Sequence, residues 1–280
     1  MKPLTFSLKA LSQDSNREMR DVITKRRIPV KTVQAIALTC LLLLPAVSFA
    51  AEQDATEIVQ KADQHLRGNT SVVELTMKVV RPDWSREMTM KSWEKGRGQS
   101  LVLVTAPVRD KGITYLKRGN EVWNWIPAVD KVIKIPPSMM MQSWMGSDFT
   151  NDDLVKESSI VTDYKHKVVG DSTIEGRDCW EIEMIPKPEA AVVWSKVMIW
   201  ISKANYLELK ADYYDENNEL VRVMNMSNVK EMGGRLIPTV MEVIPVDKTD
   251  HKTILTYLDV EYNIPIKDDF FSEQNMKRVR

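Results

Sequence analysis

Residues that carry chemistry are scarce in this sequence. The histidines are His65, His166 and His251, and no two of them stand at a metal-ligand spacing. There is no G-x-S-x-G nucleophile elbow and no H-E-x-x-H pair. Gly96-Arg-Gly98 lacks the third glycine and the following helix of a nucleotide loop, so it reads as a hairpin turn. No catalytic residue, metal ligand or cofactor is therefore expected. Two carboxylate pairs are the remaining candidates. Glu181 and Glu183 share one face of a strand, as a glycosidase pair would, but alternating carboxylates are also the ordinary wet side of a strand. Asp152-Asp153 are accounted for by helix capping before a metal needs to be invoked.

Cysteine is almost absent as well. Cys40 follows Thr39 inside an apolar run rather than a small residue at a cleavage point, so no lipid attachment is expected there. Cys179 then stands alone and can form no internal disulfide. It sits beside Trp180 in a strand-like run with no base nearby in sequence, and reads as a packed structural thiol.

Long hydrophobic stretches are limited to residues 33–47, a run of 15, short of the roughly 20 that a membrane-spanning helix takes. Arg26, Arg27 and Lys31 precede it, and Ser48-Phe49-Ala50 places small residues where a signal peptidase reads. Residues 1–50 are expected to be a cleaved signal peptide, translation starting at Met1 or Met19, with a periplasmic product that begins at Ala51. A retained anchor is the alternative. The first 50 residues hold 8 of the 39 basic and 3 of the 39 acidic residues, which leaves 31 against 36 and a net charge of −5. That balance gives no footprint for nucleic acid or for an anionic membrane surface.

What remains, residues 51–280, suits one domain. One helix is legible: Asp54 as cap, Glu57 three residues on as in a capping box, an apolar stripe of Ile58, Val59, Ala62 and Leu66, and Gly68 as stop. Nearly everything else alternates with period two. Val73, Leu75, Met77 and Val79 interleave with Glu74, Thr76 and Lys78, and Met88 and Met90 interleave with Glu87, Thr89 and Lys91. Further strands are expected over residues 100–106, 113–117, 121–126 and 131–135. The second half adds 164–169, 178–185, 193–201, 206–214, 220–229, 236–244 and 252–262, with turn residues between neighbours. Short turns between consecutive strands make an antiparallel meander, and ten or more strands should curl, apolar face inward.

Soft apolar bulk is what the sequence has in excess. It carries 16 methionines and eight tryptophans against five phenylalanines. Methionine is flexible and polarisable, and lines surfaces that accept variable apolar ligands. Leu75, Met77, Met88, Met90, Trp123 and Trp125 are expected to contribute to one cavity. Trp194, Met198 and Trp200 are expected to share another strand face. Met139, Met140, Met141, Trp144 and Met145 fall outside any strand, between Pro136-Pro137 and Gly146, where an apolar run must find cover. They are the candidate lid, followed by a short helix capped at Asn151.

At these residues the chain resembles the LolA-like family of outer-membrane lipoprotein-sorting proteins, in a branch separate from the best-known carrier. The matching stretches are Gly112-Ile-Thr-Tyr-Leu-Lys117, Val122-Trp-Asn-Trp-Ile-Pro127, Met145-Gly-Ser-Asp-Phe-Thr-Asn-Asp-Asp-Leu154, Val197-Met-Ile-Trp-Ile201 and Gly233-Gly-Arg235. The resemblance implies a mainly β fold: an incomplete antiparallel β-barrel wrapped round one or two helices, with an apolar cavity for the acyl chains of a lipid or lipoprotein. It also implies partners, an inner-membrane exporter of the ABC or resistance-nodulation type and an outer-membrane acceptor. Leu75, Met77, Met88, Met90, Trp123, Trp125, Met140, Met141, Trp144 and Met145 are the candidate lipid-binding residues. A small outer-membrane β-barrel is the rival, since it too alternates and carries interfacial tryptophans.

Overall fold

The computed structural model describes residues 54–156, 160–190 and 192–280. The expected signal peptide and its cleavage site lie outside the described residues. The chain divides into two units, Met1–Ala51 and Glu52–Arg280, and the described residues belong to the second.

Period-two alternation becomes thirteen strands: β1 (Thr70–Arg81), β2 (Trp84–Lys95), β3 (Gln99–Ala106), β4 (Thr114–Arg118), β5 (Glu121–Ile126), β6 (Lys131–Lys134), β7 (Tyr164–Ile174), β8 (Arg177–Pro186), β9 (Lys196–Ser202), β10 (Glu208–Tyr214), β11 (Leu220–Met232), β12 (Arg235–Pro245) and β13 (Lys252–Tyr262). They form one sheet in the order β6-β5-β4-β3-β2-β1-β13-β12-β11-β10-β9-β8-β7. Every neighbouring pair is antiparallel. Two meanders are thus joined where β1 pairs with β13, and β6 and β7 remain as unpaired edges. The sheet is not closed, and the incomplete, curled antiparallel barrel is the observed fold class. The β11–β12 turn shows how tightly the chain is folded back. Gly233 has φ +58°, and a Cβ there would lie 2.6 Å from the Val260 carbonyl oxygen.

Register decides which residues face inward. Leu75 pairs with Met90 and Met77 with Met88, so these four share one face, continued by Val102 and Val104 in β3. On the other side of β1, Met77 meets Leu255, which meets Met241, which meets Met226. Helix α1 (Ala55–Arg67) lies on this inner face and buries Ala55, Ile58, Val59 and Ala62 against Ile182, Met184, Val197 and Ile199. The Asp54 carboxylate accepts from the Thr56 backbone N–H at 2.8 Å, and Gly68 ends the helix at φ +68°. Glu57 does not complete the expected capping box. It is bound instead to Lys61, one turn on, at 2.8 Å.

A second apolar layer lies on the outer face. Leu101, Leu103, Leu116, Trp123 and Trp125 point away from α1. They are covered by the C-terminal segment with its single turn Asp268–Phe270 and its short last helix, Glu273–Met276, through Phe271, Met276 and Val279. The Thr114 hydroxyl, donating to the Met276 carbonyl at 3.2 Å, fixes that cover.

Candidate functional site

The chain leaves the sheet at one edge, β6, and re-enters it at the other, β7. In between it crosses the inner face as a strap of two single turns, Pro137–Met139 and Trp144–Gly146, and helix α2 (Asp153–Lys156). Beneath strap and α1 is a cavity of about 230 Å³. Its walls are Ala62 and Leu66 of α1, Val73, Leu75, Met90 and Val102 of the first meander, and Met184, Val197, Ile199, Met224, Met226, Met241, Leu255 and Tyr257 of the second. Trp144, Phe149 and Leu154 of the strap complete them. The volume lies just under the roughly 300–1,000 Å³ of pockets that enclose a drug-sized ligand, so a larger occupant requires strap or helix to move.

Local sequence explains why the strap holds its path. Met145 and Gly146 both adopt positive φ, +54° and +76°, which turns Trp144 down into the inner face. Trp144 packs on Met77, Met88, Met90 and Val104, and its ring meets Tyr115 edge-on at 5.5 Å. Burial pushes the Tyr115 phenol up to about 12, so it stays neutral. The Ser147 hydroxyl donates to the Trp144 carbonyl at 2.6 Å and accepts from the Phe149 N–H at 3.2 Å. Asp148 accepts from Arg81 at 3.0 Å and from the Thr253 hydroxyl at 2.7 Å, tying the strap to β1 and β13. Lys117 of β4 donates to the Val155 carbonyl at 3.1 Å.

Helix α2 is capped by Thr150 rather than by Asn151. Thr150 N–H donates to Asp153 Oδ2 at 2.7 Å and Asp153 N–H donates to Thr150 Oγ1 at 3.2 Å, the reciprocal bonds of a capping box. Asn151 turns away and donates to the Met139 carbonyl at 3.0 Å. Asp153 also receives both terminal nitrogens of Arg222, at 2.8 and 3.0 Å. The Arg222 guanidinium, buried in the cavity wall, lies 4.6 Å from the Trp194 ring centre and 4.2 Å from that of Tyr213. Burial opposes its charge most strongly, but Asp153 and Tyr213 together outweigh burial and raise its pKa. At the C-terminal end of α1 the cavity has a second polar wall, where Asp63 accepts from Arg97 at 2.7 Å and from Arg67 at 3.3 Å.

The ten candidate residues are not all brought together. Leu75, Met90 and Trp144 line the cavity, Met77 and Met88 are buried directly under Trp144, and Met145 packs on the same cluster. Trp123 and Trp125 do not join them. Two residues apart, they share a face as expected, but register puts that face outward beneath Phe271 and Met276. Met141 is 53 % exposed and Met140 only partly buried, since the strap runs over the surface from Pro136 to Ser143 and turns inward only at Trp144. Trp194 and Trp200 likewise part. β9 begins at Lys196, so Trp194 sits in the preceding loop and lines the cavity. Trp200 faces outward, its indole donating to Glu181 at 3.2 Å. Glu181 thus serves the outer face. Cys179 is fully buried, and burial pushes its thiol pKa up, which suits packing rather than reactivity. Sequence reasoning left Met184, Met224, Met226, Met241 and Arg222 out of the site. The alternation of Met224 and Met226 was a usable signal for two of them.

A family model described as "Uncharacterized protein" matches residues 96–278. No curated protein matches the chain. Among solved structures, the chain is similar to a DUF1329 family protein from Desulfovibrio piger, 25 % identical, with a TM-score of 0.72 over 79 % of this chain and 97 % of that one. It is also similar to a protein described as an outer membrane lipoprotein-sorting protein domain from Vibrio parahaemolyticus, 22 % identical, TM-score 0.71, over 80 % and 98 %. A LolA superfamily protein from Nitrosomonas europaea, 21 % identical, superposes with a TM-score of 0.67 over 79 % and 99 %.

Proposed function

Because the chain belongs to the family whose model covers residues 96–278 and has the fold of the LolA superfamily, we propose that it is a periplasmic carrier of acyl chains. Its cargo would be a lipid or a lipoprotein, taken from an inner-membrane exporter of the ABC or resistance-nodulation type and passed to an outer-membrane acceptor. The fold neighbours support a lipoprotein-sorting or lipid-binding role in general. The observation that carries the finer reading is the methionine-lined cavity roofed by the strap.

The physics of such a carrier is partition rather than reaction. Each methylene taken from water is worth about 0.8 kcal/mol, so a free two-chain lipid does not cross an aqueous compartment unaided. Transfer from bilayer to cavity exchanges one apolar setting for another, and the net free energy lies near zero. Direction then comes from the loading and unloading partners. The rival, a bilayer-spanning β-barrel, needs a closed sheet, because an unpaired edge in hydrocarbon leaves backbone groups unsatisfied. Here β6 and β7 are open edges, and outward positions of β1 and β2 carry Glu74, Lys78, Glu87 and Lys91.

A fluorescent fatty acid is expected to bind the purified protein at micromolar levels and to quench tryptophan emission. Lipid extracted from protein released by osmotic shock should show acyl species on thin-layer analysis. Absence of both would remove the carrier reading. The export step is checked by N-terminal sequencing of the released protein, which should begin at Ala51. A product that stays in carbonate-washed membranes would overturn it.

A further inference from the structure

Because neighbouring strands run antiparallel, the connections of the sheet fall alternately at its two ends, and the two ends differ in chemistry. Six connections lie at one end: β1–β2, β3–β4, β5–β6, β8–β9, β10–β11 and β12–β13. Each carries, within it or at the adjoining strand residue, a large apolar side chain exposed to water: Trp84, Val108, Val129, Val193, Leu220 and Val246. The five connections at the other end, β2–β3, β4–β5, β7–β8, β9–β10 and β11–β12, carry none. Single exposed apolar residues are ordinary on a protein surface, but chance would scatter them over both ends. Resting on the carrier reading, we propose that the apolar end is the face the protein lays against a lipid bilayer of zwitterionic head groups, so that cargo enters the cavity directly from the membrane.

The same end holds the closure of the cavity. Asp148 of the strap binds Arg81, the last residue of β1, and Thr253, near the start of β13, while Asp153 binds Arg222, near the start of β11. Arg81 also donates to the Gly146 carbonyl at 2.9 Å and lies 5.9 Å from the Trp84 ring centre. A surface that reaches Trp84 therefore reaches the residue that holds the strap. The flanking residues favour a bilayer over a protein partner. Trp84, Val108, Val129, Leu220 and Val246 each stand next to a charged residue, namely Asp83, Arg109, Asp130, Glu219 and Asp247. A protein interface gathers its apolar side chains into one core from which charge is depleted. A head-group layer accommodates such charges while isolated side chains reach the acyl boundary, where tryptophan is favoured. The six connections hold nine acidic residues against four basic ones, which repels an anionic surface and leaves a zwitterionic one.

The test floats the full exported protein with phosphatidylcholine vesicles in a density gradient. Wild type should rise with them at low and high salt alike, and no better when phosphatidylglycerol is added. Val108→Ser, Leu220→Ser and Val246→Ser combined should lower the partition coefficient about tenfold, equal to about 1.4 kcal/mol. Leu258→Ser, at a residue as exposed as Val246 but within β13, should leave it unchanged. Fatty-acid binding without vesicles is measured on the same samples, and its retention shows that the triple variant is folded. If the triple variant loses it, Val108→Ser alone, at a residue 91 % exposed, decides, with an expected loss of about threefold in vesicle binding. No flotation of wild type, flotation that needs the anionic lipid, equal flotation of the variants, or a wild-type dimer that the triple variant breaks up overturns the inference. Where the fatty acid still binds wild type, the carrier reading stands. Failure of wild type to bind vesicles and fatty acid alike overturns both.

Discussion

A guanidinium enclosed by aliphatic side chains is expensive unless its charge is met, and Arg222 has a carboxylate on one side and two ring faces around it. Asp153→Asn removes the opposing charge while keeping the shape. It is expected to destabilise the protein by about 3 kcal/mol, seen as a lower urea midpoint, because an unpaired buried charge remains. The exposed control Asp247→Asn should shift the midpoint by no more than about 0.5 kcal/mol. Equal shifts in the two variants would show the pair to be idle. His166 makes a different demand. Its Nε2 bonds the Ile160 carbonyl at 2.7 Å and its Nδ1 lies 3.2 Å from the Thr56 hydroxyl, which joins β7, the strap end and α1. Burial lowers its pKa against the raising effect of the Ile160 bond, with Lys187 adding to the lowering and Asp54 opposing it. The unfolded chain therefore takes up this proton first. Stability should fall as pH drops below about 6.5 and level off beneath the folded value. The thermal midpoint of wild type should drop over that window more than that of His166→Gln. Parallel curves would assign the acid sensitivity elsewhere.

Among the elements, α1 and the strap do different work. α1 is a deeply packed apolar wall, with Ile58 and Val59 essentially without exposure. The strap has few apolar anchors and many polar ones: Asp148 on Arg81 and Thr253, Asp153 on Arg222, and the Val155 carbonyl on Lys117. Trp144 and Val155 are its buried apolar anchors, and Trp144 is much the larger, so Trp144→Ala should cost about 3–5 kcal/mol. Met141→Ser, at a residue 53 % exposed, should change stability by less than about 0.5 kcal/mol. Chemical denaturation of the two variants checks this. A comparable loss for both would mean that the methionines, not the tryptophan, seat the strap. Sequence located this element correctly as an apolar run outside the strands. It misjudged which residues face inward, because single turns and left-handed residues follow neither the period of a helix nor that of a strand.

At the scale of the whole molecule, an open sheet bridged by a strap leaves a cavity of about 230 Å³, which on the proposed carrier reading must widen to take a two-chain lipid. Occupancy should then stabilise the folded state by mass action, about 2.7 kcal/mol at a hundredfold excess of ligand over its dissociation constant. Differential scanning calorimetry with and without a long-chain fatty acid reads this directly. A midpoint that does not move, with binding shown independently, would mean that the unfolded chain takes up the fatty acid as well as the folded one does, which rules out a cavity formed only on folding.

Alternation, turn residues and one capped amphipathic stretch were enough to specify the strands, α1 and the antiparallel order of neighbours, since each depends on residues within a dozen positions of one another. The methionine excess pointed to a soft inner surface for the same local reason. Which side of the sheet is inside was not local. Trp123 and Trp125 alternate as faithfully as Met88 and Met90, yet face outward, because the C-terminal segment, some 150 residues further along, supplies apolar cover on that face. The pairing of β1 with β13 and that of Asp153 with Arg222 also join residues far apart in sequence. Period two tells a residue that it has neighbours on its own face. Only the tertiary structure decides which face is covered by helix and strap, which by the chain end, and so where the cavity lies.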